Sequence, residues 1–119
     1  MQPFPIYPNY DFVDVMNIQL PKGWVMLGID LLHEFNTLRQ QQLVSRDFTV
    51  QSMKELYGTL DVKLVNPTLI SVNIVKGFSL QASRTCQDCG YYPSAMHKRN
   101  KWLRVLCTEC ARKSHYALV

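Results

Sequence analysis

Cysteine is absent from the first 85 residues of this 119-residue chain, and its four cysteines all lie between positions 86 and 110. A disulfide framework that staples the whole chain, as in small secreted domains, is therefore excluded. The sequence also lacks any apolar run near the ~20 residues that a membrane-spanning helix requires. Its first residues form neither a basic nor an apolar segment, so we expect no signal peptide, no membrane partner and a cytoplasmic location.

Sequence motifs of catalysis are missing as well. The chain has no glycine-rich phosphate loop, no nucleophile elbow and no H-E-x-x-H zinc helix. Its two close carboxylate pairs, Asp11/Asp14 and Asp30/Glu34, have the spacing of ordinary surface charges. We therefore predict that the protein is not an enzyme and takes no small-molecule substrate.

The composition is that of a folded domain, with 47% hydrophobic and 18% charged residues. We predict the α+β class: a small helix and β-hairpin domain with a C-terminal four-cysteine zinc module. The expected parts are an extended arm and short strand over 1–22, an α+β core over 23–83, and the zinc module over 84–119, packed on the core.

The first ten residues are rich in proline and aromatic side chains, which favours an extended arm. We interpret this arm as packed on the domain, and the alternative is that Tyr7 and Tyr10 contact a partner. The run DFVDVMNIQL that follows predicts a short strand ending before Pro21.

Apolar residues at intervals of three or four predict a helix from Gly23 to about Gln42. The residues of its buried face are Trp24, Leu27, Leu31, Phe35 and Leu38. His33 has no partner at ligand spacing in this stretch, so we interpret it as a surface residue. The segments FTVQSM and LDVKLV resemble strands, and Gly58 between them suits the turn of a hairpin.

The segment 67–82 is ambiguous between helix and strand. Asn66 can cap a helix that begins at Pro67 and runs to about Ala82. The β-branched residues of LISVNIVKGF favour a strand instead. We predict the helix and leave the strand open.

The cysteines form two Cys-x-x-Cys pairs, Cys86/Cys89 and Cys107/Cys110, separated by 17 residues. This spacing is typical of zinc sites, in which four ligands surround the ion as a tetrahedron. Gly90 directly follows the first pair, where the tight turn of a zinc knuckle needs a positive φ. We therefore predict one structural Zn²⁺ bound by the four cysteines.

Other uses of paired cysteines fit the pattern less well. A redox dithiol usually has a single Cys-x-x-Cys at the start of a helix, and iron–sulfur clusters have other spacings. A catalytic zinc needs an open coordination position, which four cysteines close. His97 and His115 could substitute for a cysteine, but we interpret both as solvated residues of a basic segment.

The pattern around the second pair predicts how the chain surrounds the ion. The run WLRVLC indicates a strand ending at Cys107, and CTECARKSHYAL indicates a helix whose first turn supplies Cys107 and Cys110. A knuckle, a hairpin and such a helix form a treble-clef arrangement. A zinc ribbon, with strands on both sides of the ion, is the alternative.

Two stretches, VQSMKELYGTLDVKLV and the segment from ASRTCQDCG to WLRVLCTECA, carry a resemblance that covers about residues 24–112. The residues concerned are Lys54, Glu55, Tyr57, Gly58, Leu60, Ser83, Thr85, Cys86, Cys89, Gly90, Trp102, Arg104, Leu106 and Cys107. The chain resembles a family of small bacterial and phage proteins of unknown function, which read V-K-E-K-F-G-G-L-R-F-Y, then S-x-x-T-C-x-x-C-G and G-W-x-R-T-L-C. It departs from them at Leu56, Thr59 and Asp61. The resemblance implies an α+β domain ending in a zinc module and carries no known activity.

The ending LCTECARK also resembles the closing motif L-C-x-x-C-H-x-x-K of HNH endonucleases with a structural zinc. Those enzymes place a catalytic histidine, and a further asparagine or histidine, between cysteine pairs that are normally farther apart. Here that interval offers His97 and Asn100 without an acidic neighbour to orient a general base, and Ala111 replaces the motif's histidine. We do not expect nuclease activity.

Positive charge is concentrated at the C-terminal end of the chain. Residues 1–83 carry six Lys or Arg and seven Asp or Glu, whereas residues 84–119 carry seven and two. The candidate nucleic-acid-binding residues are Lys98, Arg99, Lys101, Arg104, Arg112 and Lys113, with Tyr91, Tyr92 and Trp102 as stacking candidates. The alternative is a solvated loop that balances the charge of the thiolates.

Two functions fit these observations. We favour a zinc-stabilised, non-enzymatic protein-interaction module, an accessory or inhibitory factor of a phage or mobile element that acts on a host protein. Its candidate contact residues are Tyr7, Tyr10, Tyr91, Tyr92 and Trp102. The alternative is a nucleic-acid-binding zinc finger that uses the basic loop between the cysteine pairs.

Overall fold

The computed structural model describes residues 7–119, so the predicted arm before Tyr7 lies outside the described residues. The helices are α1 (Val25–Gln40), α2 (Leu69–Ala82) and α3 (Thr108–Ser114). The strands are β1 (Ile18–Gln19), β2 (Thr49–Leu56), β3 (Thr59–Val65), β4 (Ala95–Arg99), β5 (Trp102–Leu106) and β6 (Ala117–Leu118). This architecture confirms the predicted α+β class.

The first sheet has the order β1-β2-β3. Strands β2 and β3 form the predicted antiparallel hairpin, and β1 pairs in parallel with β2. The two residues of the hairpin turn, Tyr57 and Gly58, both have positive φ, of 49° and 83°. Two positive φ values are what a type I′ turn requires, and this turn matches the twist of the strands. The prediction of a turn at Gly58 is confirmed.

Two buried clusters hold the elements together. The larger one lies between α1 and the first sheet, where the rings of Phe35 and Phe48 meet edge to face with centroids 5.2 Å apart. The second is centred on Trp24 and includes Leu60 of β3, Ala82 of α2 and Val105 of β5. Because this second cluster draws on both sheets, the C-terminal segment packs against the rest of the domain.

The region before α1 differs from its prediction. Instead of one strand over DFVDVMNIQL, only Ile18–Gln19 is a strand, and a 3₁₀ turn occupies Val15–Asn17. The cause is local, because the Asp14 carboxylate accepts a hydrogen bond from the backbone N–H of Met16 at 3.0 Å. Such an aspartate cap favours a turn over continued strand.

Helix α1 begins two residues later than predicted. A 3₁₀ turn over Lys22–Trp24 precedes it, so the regular helix spans Val25–Gln40 rather than Gly23 to Gln42. His33 is exposed on this helix, as predicted for a surface residue. Its Nδ1 lies 2.7 Å from the hydroxyl of Tyr10.

Most of segment 67–82 is the helix α2, Leu69–Ala82, so the alternative of a strand is wrong. The helix does not begin as predicted, however, because Thr68 rather than Asn66 is its N-cap. Thr68 and Ser71 form a reciprocal capping box, in which each side chain accepts the other residue's backbone N–H. Asn66 instead adopts a left-handed conformation with φ of 53°.

The second sheet has the order β5-β4-β6, with both pairings antiparallel. The predicted strand of WLRVLC is confirmed as β5, and its partner β4 completes the expected hairpin. Helix α3 ends at Ser114 and does not continue through Leu118 as predicted. His115 adopts a left-handed φ of 61°, which ends the helix and turns the chain back into β6.

None of the helices in residues 7–119 is long and apolar enough to cross a membrane.

Candidate metal centre

The first cysteine pair lies on a tight turn between α2 and β4. The backbone N–H of Gly90 donates to the carbonyl of Cys86 at 2.9 Å, and Gly90 has a φ of 83°. This is the left-handed conformation predicted for the residue after a knuckle. The turn places Cys86 in the interior and leaves Cys89 exposed.

The second pair lies at the start of α3. Cys107 is the N-cap residue, and its sulfur accepts a hydrogen bond from the backbone N–H of Cys110 at 3.4 Å. Cys110 belongs to the first turn of the helix, so the helix supplies both ligands from one end. The order of knuckle, hairpin and ligand-bearing helix is the predicted treble-clef arrangement rather than a zinc ribbon.

The four sulfur atoms converge on one point. All four Sγ atoms lie within 4.8 Å of one another, and those of Cys89 and Cys107 are 3.7 Å apart. Four sulfurs at about 2.3 Å from a tetrahedral zinc are separated from one another by about 3.8 Å. The spacing therefore fits a single metal ion, and it is far beyond the ~2.05 Å of a disulfide bond.

The thiols of this cluster affect one another's ionisation. Burial raises the pKa of the Cys86 thiol, but backbone N–H groups of Cys107, Cys89 and Asp88 together outweigh burial and lower it to about 7. Burial, together with the neighbouring sulfurs, raises the pKa of Cys110 far above its ordinary value. Four thiolates at this distance need a cation between them, because like charges otherwise keep some of the group protonated.

Side chains around the knuckle fix its position. Asp88, between the two cysteines of the pair, forms an ion pair with Arg104 of β5 at 2.7 Å. Gln87 is buried and bonds to Val105 twice: its backbone N–H donates to the Val105 carbonyl at 2.8 Å, and its Oε1 accepts from the Val105 N–H at 2.7 Å. Sequence patterns did not indicate Gln87, because its partner lies in a different element.

The knuckle also contacts the 3₁₀ turn that precedes α1. The N–H of Gly23 donates to the carbonyl of Gln87 at 2.7 Å, and the indole N–H of Trp24 donates to the carbonyl of Thr85 at 2.8 Å. A Cβ atom at Gly23 would lie 2.1 Å from the carbonyl oxygen of Cys86. Only glycine therefore allows the two turns to approach this closely.

The donor set and its geometry together fit a closed metal site. Four sulfur ligands are typical of structural zinc, and they leave no coordination position for water or substrate. The four predicted ligands are brought together by the fold, so these cysteines are placed to hold one metal ion.

The predicted basic residues are distributed over the hairpin and α3. Lys98 and Arg99 lie on β4, Lys101 in the β4–β5 turn, Arg104 on β5, and Arg112 and Lys113 on α3. Two of them have acidic partners, since Arg104 pairs with Asp88 and Arg112 pairs with Glu109. The basic loop predicted between the cysteine pairs is largely the strand β4, in which Lys98 and Arg99 pair with residues of β5.

His97 is buried, contrary to the prediction of a solvated residue. It lies on β4, where β5 and β6 flank it, and its Nδ1 is 2.8 Å from the carbonyl of Ala95. The period-two pattern of β4 places it on the side opposite Met96 and Lys98. His115, in contrast, is exposed as predicted.

Tyr7 and Tyr10 pack against the larger core, as predicted for an arm lying on the domain. The ring of Tyr10 stacks on Phe12 with centroids 5.1 Å apart. Burial raises the pKa of the Tyr7 hydroxyl above its ordinary value. Both rings therefore have packing contacts within the domain.

The remaining candidate contact residues, Tyr91, Tyr92 and Trp102, are all exposed. Trp102 does not stand alone, because its ring stacks with that of Tyr57. Tyr57 belongs to the residues of the resemblance, and no local sequence pattern indicates that the two hairpin tips meet.

Comparison with protein-family models, curated proteins and solved structures finds no significant match to this chain. The resemblance to small bacterial and phage proteins therefore stays a prediction.

Proposed function

We propose that this protein is a zinc-stabilised, non-enzymatic interaction module that binds another protein through the outer face of α2. The single observation that carries the proposal is the exposure of apolar side chains on this helix. Leu69 is 75% exposed and Leu80 is 66% exposed. Leu69 and Leu80 lie at opposite ends of α2 but on the same side of the helix. Large exposed apolar side chains that share one surface are typical of a binding site.

The exposed face runs along the whole of α2. Its exposed residues share one side of the helix and are Leu69, Ile70, Asn73, Lys76, Gly77, Leu80 and Gln81. Lys76 is the one charged residue among the 14 of the helix. An ordinary surface helix carries charged side chains on its outer face, so this composition favours a partner there.

At its C-terminal end the face leads to the metal centre. A cavity of about 480 Å³ is lined by Gly77, Leu80, Gln81, Arg84 and Tyr92. Tyr92 lies three residues after Cys89, so a metal ion that holds the knuckle would also hold Tyr92 at one wall of the cavity. A bound metal would stabilise the surface as well as the fold.

The chemistry of the face indicates the kind of partner. Leu69 and Leu80 are apolar, and the cationic groups in and beside the face, Lys76 and Arg84, have no ion pair among residues 7–119. A partner segment with apolar side chains and flanking carboxylates would complement this surface. The resemblance to phage proteins supports a host protein as that partner and an accessory or inhibitory role.

The proposal of zinc rests on the four thiolate donors, since soft sulfur ligands in a tetrahedron favour zinc over harder cations. The proposal of a non-enzymatic role rests on the closed sulfur shell and on the burial of His97, the histidine that the nuclease analogy requires. Free thiols at metal-binding spacing are usual in reducing compartments, which supports the cytoplasm as location.

The interaction is tested by quantitative co-purification from the bacterial host in high salt with nuclease present. Leu80→Glu is expected to abolish retention of a stoichiometric partner, because a buried charge without a pair is costly at an interface. Leu118→Glu is the matched control, since Leu118 is 67% exposed but lies on β6. Equal retention of the partner by both variants would contradict the proposed surface.

A further inference from the structure

Two exposed aromatic rings meet where the tips of the two hairpins come together. Tyr57 lies in the β2–β3 turn and Trp102 begins β5, and their ring planes are 20° from parallel with centroids 6.4 Å apart. The side chains remain accessible, with Tyr57 60% exposed and Trp102 52% exposed. The pair therefore presents flat aromatic surface to solvent.

The pair forms part of a cleft between the sheets. The cleft has a volume of about 390 Å³ and is lined by Glu55, Leu56, Tyr57, Trp102, Leu103, Arg104 and Tyr116. Its walls come from both hairpins and from the chain after α3. The position of the walls is thus fixed by the fold of two sheets and not by one loop.

Cationic residues lie beside this aromatic cleft. Arg99 lies directly opposite Trp102 in the β4–β5 pairing, and Lys101 precedes Trp102 in the turn. The guanidinium of Arg99 lies over the ring of Tyr116, 4.8 Å from its centroid, and donates one hydrogen bond to the Ser114 carbonyl at 2.9 Å. A guanidinium has five N–H groups, so donors remain for a phosphate.

Two carboxylates lie near the cleft, and only one of them has a cationic partner. Glu55 accepts a hydrogen bond from the Gly58 N–H at 2.6 Å, and Asp88 forms the ion pair with Arg104. Lys101 has no ion pair within residues 7–119. A hydrogen bond leaves the charge of Glu55 in place, so the two cations Arg99 and Lys101 outnumber the one carboxylate there that has no cationic partner among residues 7–119.

We infer that this cleft binds single-stranded nucleic acid, with bases stacked on Trp102 and Tyr57 and phosphates contacted by Arg99 and Lys101. Flat aromatic side chains within a cationic groove are the recurring means by which proteins bind unpaired strands. A duplex hides its base faces, so it cannot stack on the rings. This site lies on the hairpin tips and does not depend on the proposed protein-binding face of α2.

The inference is tested by fluorescence anisotropy of the full-length, metal-loaded protein with labelled 20-nucleotide oligo(dT) and oligo(U), and with a duplex of equal length. We expect both single strands to bind more tightly than the duplex at 50 mM salt. Trp102→Ala and Tyr57→Ala should each weaken binding at least five-fold, the loss of about one stacked base. Trp102→Phe should retain most of the affinity because it keeps a ring.

Lys101→Gln probes the phosphate contact separately. It should lower the slope of log affinity against log salt by about 0.7, the value for one contact to a single strand. Met26→Ala is the control for an exposed large side chain away from the cleft, since Met26 is 64% exposed on α1, and it should leave affinity unchanged. Circular dichroism and metal content confirm that each variant is folded.

Three results would overturn the inference. The first is absence of oligonucleotide binding at 50 mM salt, which would leave the cleft to a protein ligand or to none. The second is equal affinity for single strand and duplex, with no effect of Trp102→Ala, which indicates attraction by charge alone. The third is an equal loss of affinity in Met26→Ala and Trp102→Ala, which would show that the loss does not arise in the cleft.

Discussion

At the scale of single residues, the contact between the metal centre and the turn before α1 requires glycine at position 23. Gly23 brings the turn before α1 against the knuckle, and its N–H donates to the Gln87 carbonyl at 2.7 Å. A methyl group at this position would meet backbone atoms of Cys86, Gln87 and Gly90 within 2.7 Å. Backbone atoms cannot move aside as a flexible side chain does.

Gly23→Ala is therefore expected to destabilise the protein by about 1–3 kcal/mol, the usual cost of forced overpacking. Gly77→Ala is the control, because a Cβ atom at Gly77 meets nothing within 4 Å and the residue lies inside α2. It should stabilise the protein by about 0.5–1 kcal/mol. Urea unfolding of the metal-loaded protein measures both changes. Equal stability of the two variants would contradict the close backbone contact at Gly23.

Gln87 makes a second residue-scale prediction possible. Its buried Oε1 accepts the Val105 N–H at 2.7 Å, so Gln87→Leu leaves a buried backbone donor without a partner. The expected loss is about 1–3 kcal/mol in the free energy of unfolding. Gln51→Leu, at an exposed position of β2, should change stability far less in the same measurement.

The sequence predicts residues whose signal is local and misses those whose partners are distant. The two Cys-x-x-Cys pairs and Gly90 were identified from spacing alone, and the fold brings all four sulfurs together. Gly23 and Gln87 could not be identified, because their partners are distant in sequence. Gly23 contacts Gln87, more than 60 residues away, and Gln87 contacts Val105, 18 residues away. Glycine and glutamine are unremarkable in the sequence until those neighbours are known.

At the scale of elements, α2 illustrates competition between propensity and capping. Its β-branched residues favour a strand, but the capping box of Thr68 and Ser71 and the packing of Phe78 on both buried clusters stabilise a helix. Thr68 also donates to the Leu43 carbonyl at 3.2 Å, which ties the helix start to the loop after α1.

Thr68→Ala should cost about 1 kcal/mol of stability, because the first turn of α2 then loses its side-chain cap. Thr68→Ser keeps the hydroxyl and should retain most of the stability. Thermal unfolding of the two variants beside the wild-type protein gives the comparison. Equal losses in both would show that the methyl group, and not the cap, stabilises this helix start.

Element types were predicted well and element ends poorly, for identifiable reasons. The ends depend on caps such as Thr68 and on the left-handed His115, which stops α3 although the residues beyond it suit a helix. The prediction that His97 is solvated was wrong, because β6 pairs with the second edge of β4. The two residues of β6, Ala117–Leu118, are too few to be recognised as a strand from the sequence.

At the scale of the whole molecule, the metal centre and the domain core are connected through Trp24. Trp24 lies in the cluster that joins the sheets, and its indole N–H bonds to Thr85 beside the knuckle. We therefore expect metal removal to affect the core and not the C-terminal segment alone. Metal binding of this kind contributes directly to folding free energy.

Fluorescence of Trp24 can report this coupling. In a Trp102→Phe background Trp24 is the single tryptophan, and it is fully buried in the native protein. Addition of a strong chelator should shift its emission to longer wavelength as the knuckle separates from the turn at Gly23. A spectrum unchanged by chelation, with metal loss verified, would show that the core folds independently of the metal.

The four cysteines are placed to hold one metal ion, and native mass spectrometry of the purified protein tests this most directly. We predict one Zn²⁺ per chain with all four cysteines deprotonated, and loss of that ion in Cys110→Ser but not in Glu109→Gln. A metal-free chain that keeps its native fold would contradict the account.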